Sequence, residues 1–374
     1  MATIPMKEKV KFVDPEKRMF FNTLKARVDH YFKQTGLSPH ANTTMVVKSI
    51  VLFIVYFTPF ILMLTVPMSS GMELGMWSLM GIGLAGIGMS VMHDAIHGAY
   101  SSKGWINQMM SYSLNFLGAS IFNWRFQHNL LHHTYTNVVH MDDDIDDKAI
   151  LRFSPHTEVK KIHRFQFLYA FAFYGIMSLY WIVAKDFVQF HRYVRNGVNQ
   201  KSAKENTIAM TRIVILKVVY FTMMIGMPVF ILGTSDLVTV LCGFLLMHFI
   251  AGVILTVIFQ LAHTVEGTSH PLPNAEGNIE NEWAIHQLNT TVNFSRSNKW
   301  LSWYVGGLNF QVEHHLFPRI CHVHYPAIAP IVKETAEEFG VPYLENPTFG
   351  TALRSHLATL RRFGKLPDLE EAIG

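Results

Sequence analysis

His93-Asp94-Ala95-Ile96-His97 and, further along, His128-Asn129-Leu130-Leu131-His132-His133 bound the stretch on which the reading of this chain turns. Residues four apart share one face of a helix, so His93 and His97 aim at one point, and so do His128 and His132. His133 stands about 100° round the helix from His132 and reaches that point from the side. A third cluster follows much later, at Gln311-Val312-Glu313-His314-His315. A lone histidine is ordinarily a hydrogen-bonded structural residue. Three clusters on one chain point instead to a metal, and imidazole suits zinc, copper, iron and nickel.

Outward from this stretch the chain is apolar. Half of its 374 residues are hydrophobic and 16% are charged, against about 25% charged in a soluble domain. Long apolar runs mark a membrane protein. Cys242 and Cys321 are too few for a disulfide framework. A net charge of +4 is too small to argue for nucleic acid. No signal peptide is visible.

Asp14-Pro15-Glu16 predicts a helix start, followed by an amphipathic basic helix carrying Phe20, Leu24 and Val28. That helix suits either an anionic leaflet or the protein's own surface. Val46 to Val66 and the glycine-rich run from Met72 to Met92 are spans, and the glycines permit close helix approach. The arm before them is rich in Lys and Arg while the turn Pro67–Gly71 has none, so the arm and His93 are expected in the cytoplasm. If Trp105 to Phe122 crossed, the first two clusters would lie on opposite sides of the membrane. It is therefore expected to be re-entrant or interfacial. The same parity, and the basic residues after it, assign Phe165 to Ala184 to the interface. Ile213–Leu232 and Leu237–Leu261 are the remaining spans. The expectation is an all-α integral membrane protein forming a single domain over residues 1–374. An arm runs to residue 44, a membrane region with four transmembrane helices covers 45–264, and a cytoplasmic helical cap covers 265–374.

His93, His97, His128, His132, His133, His314 and His315 then fall at cytoplasmic span ends or in the cap. His263, just after the fourth span, arrives at the same level. Eight imidazoles are too many for one ion and suit two. A structural zinc needs four ligands, usually with Cys, and without His-Glu-x-x-His a metalloprotease lacks its general base. All-imidazole ligation at a redox centre favours iron, expected to activate dioxygen against an unactivated C–H bond. A haem protein would need facing pairs deep in the spans, and only His248 is deep, about 15 Å below the metal level. It is expected to bond a neighbouring helix.

In this order and around two pairs of spans, His-x-x-x-His, His-x-x-x-His-His and Gln-x-x-His-His resemble the histidine boxes of the membrane fatty acid desaturases. Asn309 to Pro318 resembles the third box of the front-end branch, and Trp283, Gln287, Thr290, Thr291 and Asn293 match the pattern before it. The resemblance implies two irons on the box histidines with His263 added, and O2 as co-substrate. It implies Gln311 either as a neutral ligand or just outside the metals. The family has an Asn one turn before the extra histidine. Here Phe259 stands there, with Gln260 beside it as a candidate for that outer role. Asp142, Asp143 and Asp144, within the acidic run to Asp147, are candidates to orient bound imidazoles. The implied reaction is insertion of a cis double bond into an acyl chain, carried as a CoA thioester or a lipid. A hydroxylase on the same scaffold, or a non-catalytic metal or haem membrane protein, are the other readings. No His-Pro-Gly-Gly motif occurs, so electrons are expected from a separate b-type cytochrome or ferredoxin. Arg125, Arg152, Lys160, Lys161 and Arg164 could meet an acidic donor or a phosphate-bearing carrier. A plasma membrane is implied for a bacterial source and the endoplasmic reticulum for a eukaryotic one.

Overall fold

A computed structural model describes residues 10–145, 150–233 and 236–365. Asp146 and Asp147 of the acidic run, and Thr234 and Ser235 of the last turn, lie outside these. The described chain is helical, apart from two parallel ribbons of two residues per strand, Lys11–Phe12 with Asn278–Ile279 and Asn293–Phe294 with Glu345–Asn346. It divides into two compact units. One contains residues 41–124 and 171–257; the other contains 1–40, 125–170 and 258–374.

Among the described residues, five helices are long and apolar enough to cross a membrane: Thr43–Thr65, Ser70–Ile96, Lys161–Arg195, Ala203–Leu232 and Leu237–His263. Four match the expected spans. The additional one contains Phe165–Ala184, read above as interfacial; it belongs to a continuous helical run of 35 residues, longer than the apolar core of that segment alone.

In the first unit, side-chain caps start the helices where the sequence offers them. Asn42 accepts the Met45 amide, and Ser202 and Glu205 form a reciprocal capping box. The glycines of the second span work as expected. A Cβ on Gly83 would lie 2.9 Å from the Tyr56 backbone nitrogen, and one on Gly81 would lie 2.7 Å from the Met247 carbonyl oxygen. Residues 104–124 break into the short helices Gly104–Ser111, Ser113–Phe116 and Ile121–Trp124. None can span about 30 Å of hydrocarbon. This stretch is tied down by a buried charge pair. Lys217 Nζ lies 2.5 Å from Asp186 Oδ2 and donates to the Gly118 carbonyl; Asp186 also accepts from the Ser120 amide and the Asn123 side chain. His248 bonds neighbouring helices as expected, with Ser178 Oγ 2.7 Å from Nδ1 and Tyr220 Oη 2.8 Å from Nε2.

In the second unit, the amphipathic arm helix Phe20–Thr35 buries Phe20, Leu24 and Val28 against Leu316, Ile328, Ala329 and Val332. The apolar stripe of this helix therefore packs on the protein itself. Its start differs from the expectation. Asp14 closes a turn onto the Arg18 amide, and the helix begins at Phe20 with the amides of Phe20 and Phe21 on the Glu282 carboxylate. A tertiary carboxylate, favoured at a helix N-terminus, replaces the local cap. Past His263, the helices Trp283–Thr290, Lys299–Tyr304, Gln311–Leu316, Tyr325–Glu338 and Phe349–Phe363 are all shorter than a span.

Candidate metal centre

The second cluster does not sit on an α-helix. Residues Arg125–His132 form a π-helical segment. Its hydrogen bonds run from i to i+5, so each residue turns less about the axis than in an α-helix and side chains five apart come within reach of each other. The His128 and His132 rings stack as expected, 5.4 Å apart, but fall into different candidate ligand groups. His128 and His133 face each other with Nε2 atoms 3.3 Å apart, while His132 turns to a different group. π-Helical turns occur often at functional sites because one inserted residue re-aims a side chain.

Two overlapping imidazole triads result. His132, His263 and His315 form one, and His133, His314 and His315 the other; in each, the candidate ligand atoms lie within 4.8 Å of one another. His315 belongs to both. Ring centroids are 4.8 Å apart for His132 and His263, and 4.6 Å for His133 and both His314 and His315. His128 stacks on His314 at 5.9 Å. All of these rings are buried.

The second nitrogens are held from behind. His132 Nδ1 donates to Asp142 at 3.1 Å, with Asp144 3.8 Å away. Asp142 is itself fixed by the amides of Asn137 and Asp144, and Asp144 accepts from Gln127. Burial alone would push the His132 imidazole down; the Asp142 carboxylate, backed by Asp144, turns the shift upward. His263 Nδ1 meets the Thr290 carbonyl at 3.2 Å, His314 Nδ1 the Tyr325 hydroxyl at 3.2 Å, and His315 Nδ1 the Gln287 side-chain oxygen at 2.8 Å. The Nε2 atoms of His132 and His263 are buried and have no hydrogen-bond partner. An imidazole anchored through one nitrogen, with the other directed at a cluster of its like, is the arrangement of a metal ligand. The donor set therefore fits metal of borderline, imidazole-preferring character.

His93 and His97 belong to the other unit. They end the second span just after a π-helical turn, Ile87–Met92, with ring centroids 4.9 Å apart. Gln311 is buried in the first turn of the helix that carries His314 and His315. Gln260 accepts from the Thr264 hydroxyl at 2.6 Å. Phe259 fills the turn-earlier position with its ring 4.9 Å from both His132 and His263. Asp143 is at the edge of burial. One basic residue differs from the expected surface role. The Arg152 guanidinium is buried and donates to the carbonyls of Thr157, Pro155 and Phe363. It joins its own loop to the end of the Phe349–Phe363 helix and is closed to an outside partner; Arg125, Lys161 and Arg164 are exposed.

The pattern before the third box acquires physical roles. Gln287 holds His315, the Thr290 carbonyl holds His263, and Trp283 donates to the His133 carbonyl at 3.2 Å. Sequence reasoning missed Tyr325, Thr136 and Asn137. Thr136 donates to Gln287. Asn137, with φ 59°, donates to the His263 carbonyl. Asn tolerates that left-handed conformation, but nothing local in the sequence marks the position.

Comparison with known proteins agrees with this geometry. Residues 72–347 match the model of the family described as fatty acid desaturase. The chain is 36% identical over 359 residues to an sn-1 linoleoyl-lipid 6-desaturase of Synechocystis sp., covering 96% of this chain and 98% of that protein. It is 33% identical to a protein of the same name from Arthrospira platensis, covering 93% and 94%. It is 35% identical to an acyl-lipid (8-3)-desaturase of Physcomitrium patens, covering 96% and 74%. The extent of the family match and these identities place the chain in the fatty acid desaturase family.

Proposed function

We propose that this desaturase acts on the acyl chains of membrane lipids, as a front-end enzyme with a di-iron centre. The observation that carries the reading is the nest of six buried imidazoles, His128, His132, His133, His263, His314 and His315, which with the first box is more than one ion can take. His128, His132, His133, His263, His314 and His315 would hold the irons. His93 and His97 join them on the strength of the box order, with Gln311 as a weak neutral donor or just outside. Two irons would supply O2 activation and hydrogen abstraction from a methylene.

The chain's own residues do the rest. Asp142, Gln287, Tyr325 and the Thr290 carbonyl hold His132, His315, His314 and His263, respectively, in one orientation. Phe259 covers His132 and His263 with an apolar face, which excludes water from that side. Asp143 and Gln260 belong to the surrounding polar layer.

The basic arm and loops support an active site on the cytoplasmic side, and the bases after Lys185 support an interfacial place for the Lys161–Arg195 helix. The electron donor is a separate b-type cytochrome or ferredoxin. The lipid substrate rests on the relatives, whose names specify acyl-lipid or linoleoyl-lipid chains.

The test is expression in a host whose lipids carry saturated and unsaturated chains, with mass spectrometry of intact lipids. The expected product is two mass units lighter, with a new double bond between an existing one and the carboxyl end. A product carrying one added oxygen would replace this reading with a hydroxylase. Conversion of CoA thioesters alone would remove the lipid substrate.

A further inference from the structure

The helix that carries His314 and His315 is only six residues long and has no side-chain cap from its own N-terminal flank. A helix this short does not hold its own position. Two side chains from separate stretches, Asn293 and Tyr343, hold it instead, through its own Glu313 and the Val312 amide. Glu313 is fully buried beside His314. One of its oxygens accepts the Tyr343 hydroxyl at 2.7 Å, and the other accepts Asn293 Nδ2 at 2.8 Å. The same Asn293 nitrogen donates to Tyr343 Oη at 2.7 Å, closing a ring. Asn293 Oδ1 accepts the Val312 amide at 2.9 Å, so an asparagine 19 residues upstream caps the first turn. The ribbon that pairs Asn293 with Glu345 ties the two outer stretches together. Outside the ring, Arg296 forks onto Glu345 at 2.8 and 2.6 Å and lies over the Tyr343 face.

We propose that Asn293, Glu313 and Tyr343 form a clamp that positions the third box, with Tyr343 acting on the metal pair through Glu313. The inference rests on His314 and His315 being iron ligands. Burying a carboxylate costs several kcal/mol unless donors saturate it, and here the donors come from two directions at right of reach for one rotation of the helix. Rotating the helix breaks all three contacts. The clamp therefore converts a fixed Glu313 into fixed imidazoles at the next two positions. Ligand orientation controls metal affinity, and loss of outer partners weakens it about 10–100-fold.

The experiment uses the full-length purified protein loaded with iron. Iron retention is followed against a competing chelator, with turnover and the ligand-field spectrum of the cobalt-substituted protein as further readouts. Tyr343→Phe should retain iron about tenfold less tightly, shift the cobalt bands, and lower kcat with KM unchanged. Arg296→Gln breaks the pair outside the ring and should behave as wild type. Should Tyr343→Phe fail to fold, Glu313→Gln keeps the shape and one acceptor oxygen and should weaken retention in the same direction, by less. Wild-type retention and an unshifted cobalt spectrum in either ring variant would overturn the clamp. So would an equal loss in Arg296→Gln, which would make the effect a general loosening of the ribbon. A wild-type protein that holds no iron would instead remove the metal reading beneath it.

Discussion

The buried histidines of this chain are wired in two opposite ways. His248 has a hydroxyl on each ring nitrogen, from Ser178 and Tyr220. His132 and His263 each have one nitrogen bonded and the other, Nε2, buried without a hydrogen-bond partner. Leaving a buried polar atom unsatisfied costs about 1–3 kcal/mol. A fold retains that cost where the free lone pair has another use. Burial is common to both sets, so burial does not mark a ligand. A nitrogen left over after the fold's own bonds are counted does so only where other imidazoles gather around it, as at His132 and His263 and not at His156, His270 or His286. The same contrast holds for the acids. Asp186 is neutralised by Lys217 and serves the fold, whereas Asp142 is spent on orienting an imidazole.

The largest effect should come from the residue that the two triads share. With Nδ1 on Gln287, His315 offers one nitrogen to one ion, but His315→Ala leaves neither triad complete, so iron per chain should fall further than in a variant of a single triad and no desaturated product should form. His263→Ala touches one triad and should leave part of the iron. Elemental analysis of protein purified from membranes reads both. Equal residual iron in the two variants would erase the distinction between a shared and an unshared ligand.

The next effect tests the other side of the comparison. Lys217→Met leaves the Asp186 carboxylate buried and uncompensated, which costs about 3–5 kcal/mol. Thermal unfolding in detergent should shift down strongly, while chains that remain folded keep their iron stoichiometry. Adding Asp186→Asn should recover much of the loss, since an apolar or neutral pair needs no counter-charge. A double variant no more stable than the single would mean that the pair's other contacts, to Gly118, Ser120 and Asn123, carry the stability.

These contrasts were only partly legible in the sequence. Cluster membership was legible because spacing and ligand chemistry are local properties. The close approach at Gly81 and Gly83 was legible because only glycine allows it. The failures share a cause. The π-helical turn depends on one inserted residue whose backbone is accommodated by tertiary packing, so i,i+4 reasoning missed the close approach of His128 Nε2 to His133 Nε2. Arg152 reads as a surface base, yet three carbonyls brought together by folding enclose it. The start of the arm helix was sought at Asp14 and is supplied by Glu282, 262 residues away. In each the deciding influence is tertiary: the packing that admits the π turn, Phe363 beside Arg152, and Glu282 before Phe20.

The smallest effect is the most discriminating between the two kinds of histidine. Ser178→Ala removes the hydroxyl from His248 Nδ1 and leaves that nitrogen buried without its partner. The stability cost should be about 1–3 kcal/mol, seen as a modest fall in unfolding temperature. Tyr220 still holds Nε2, so the ring stays in place. Iron stoichiometry and product should be unchanged, because the vacated nitrogen belongs to a histidine that serves only to join helices. A changed double-bond position in this variant would show that the packing around His248 bears on where the acyl chain is desaturated, and His248 would cease to be the structural half of the comparison.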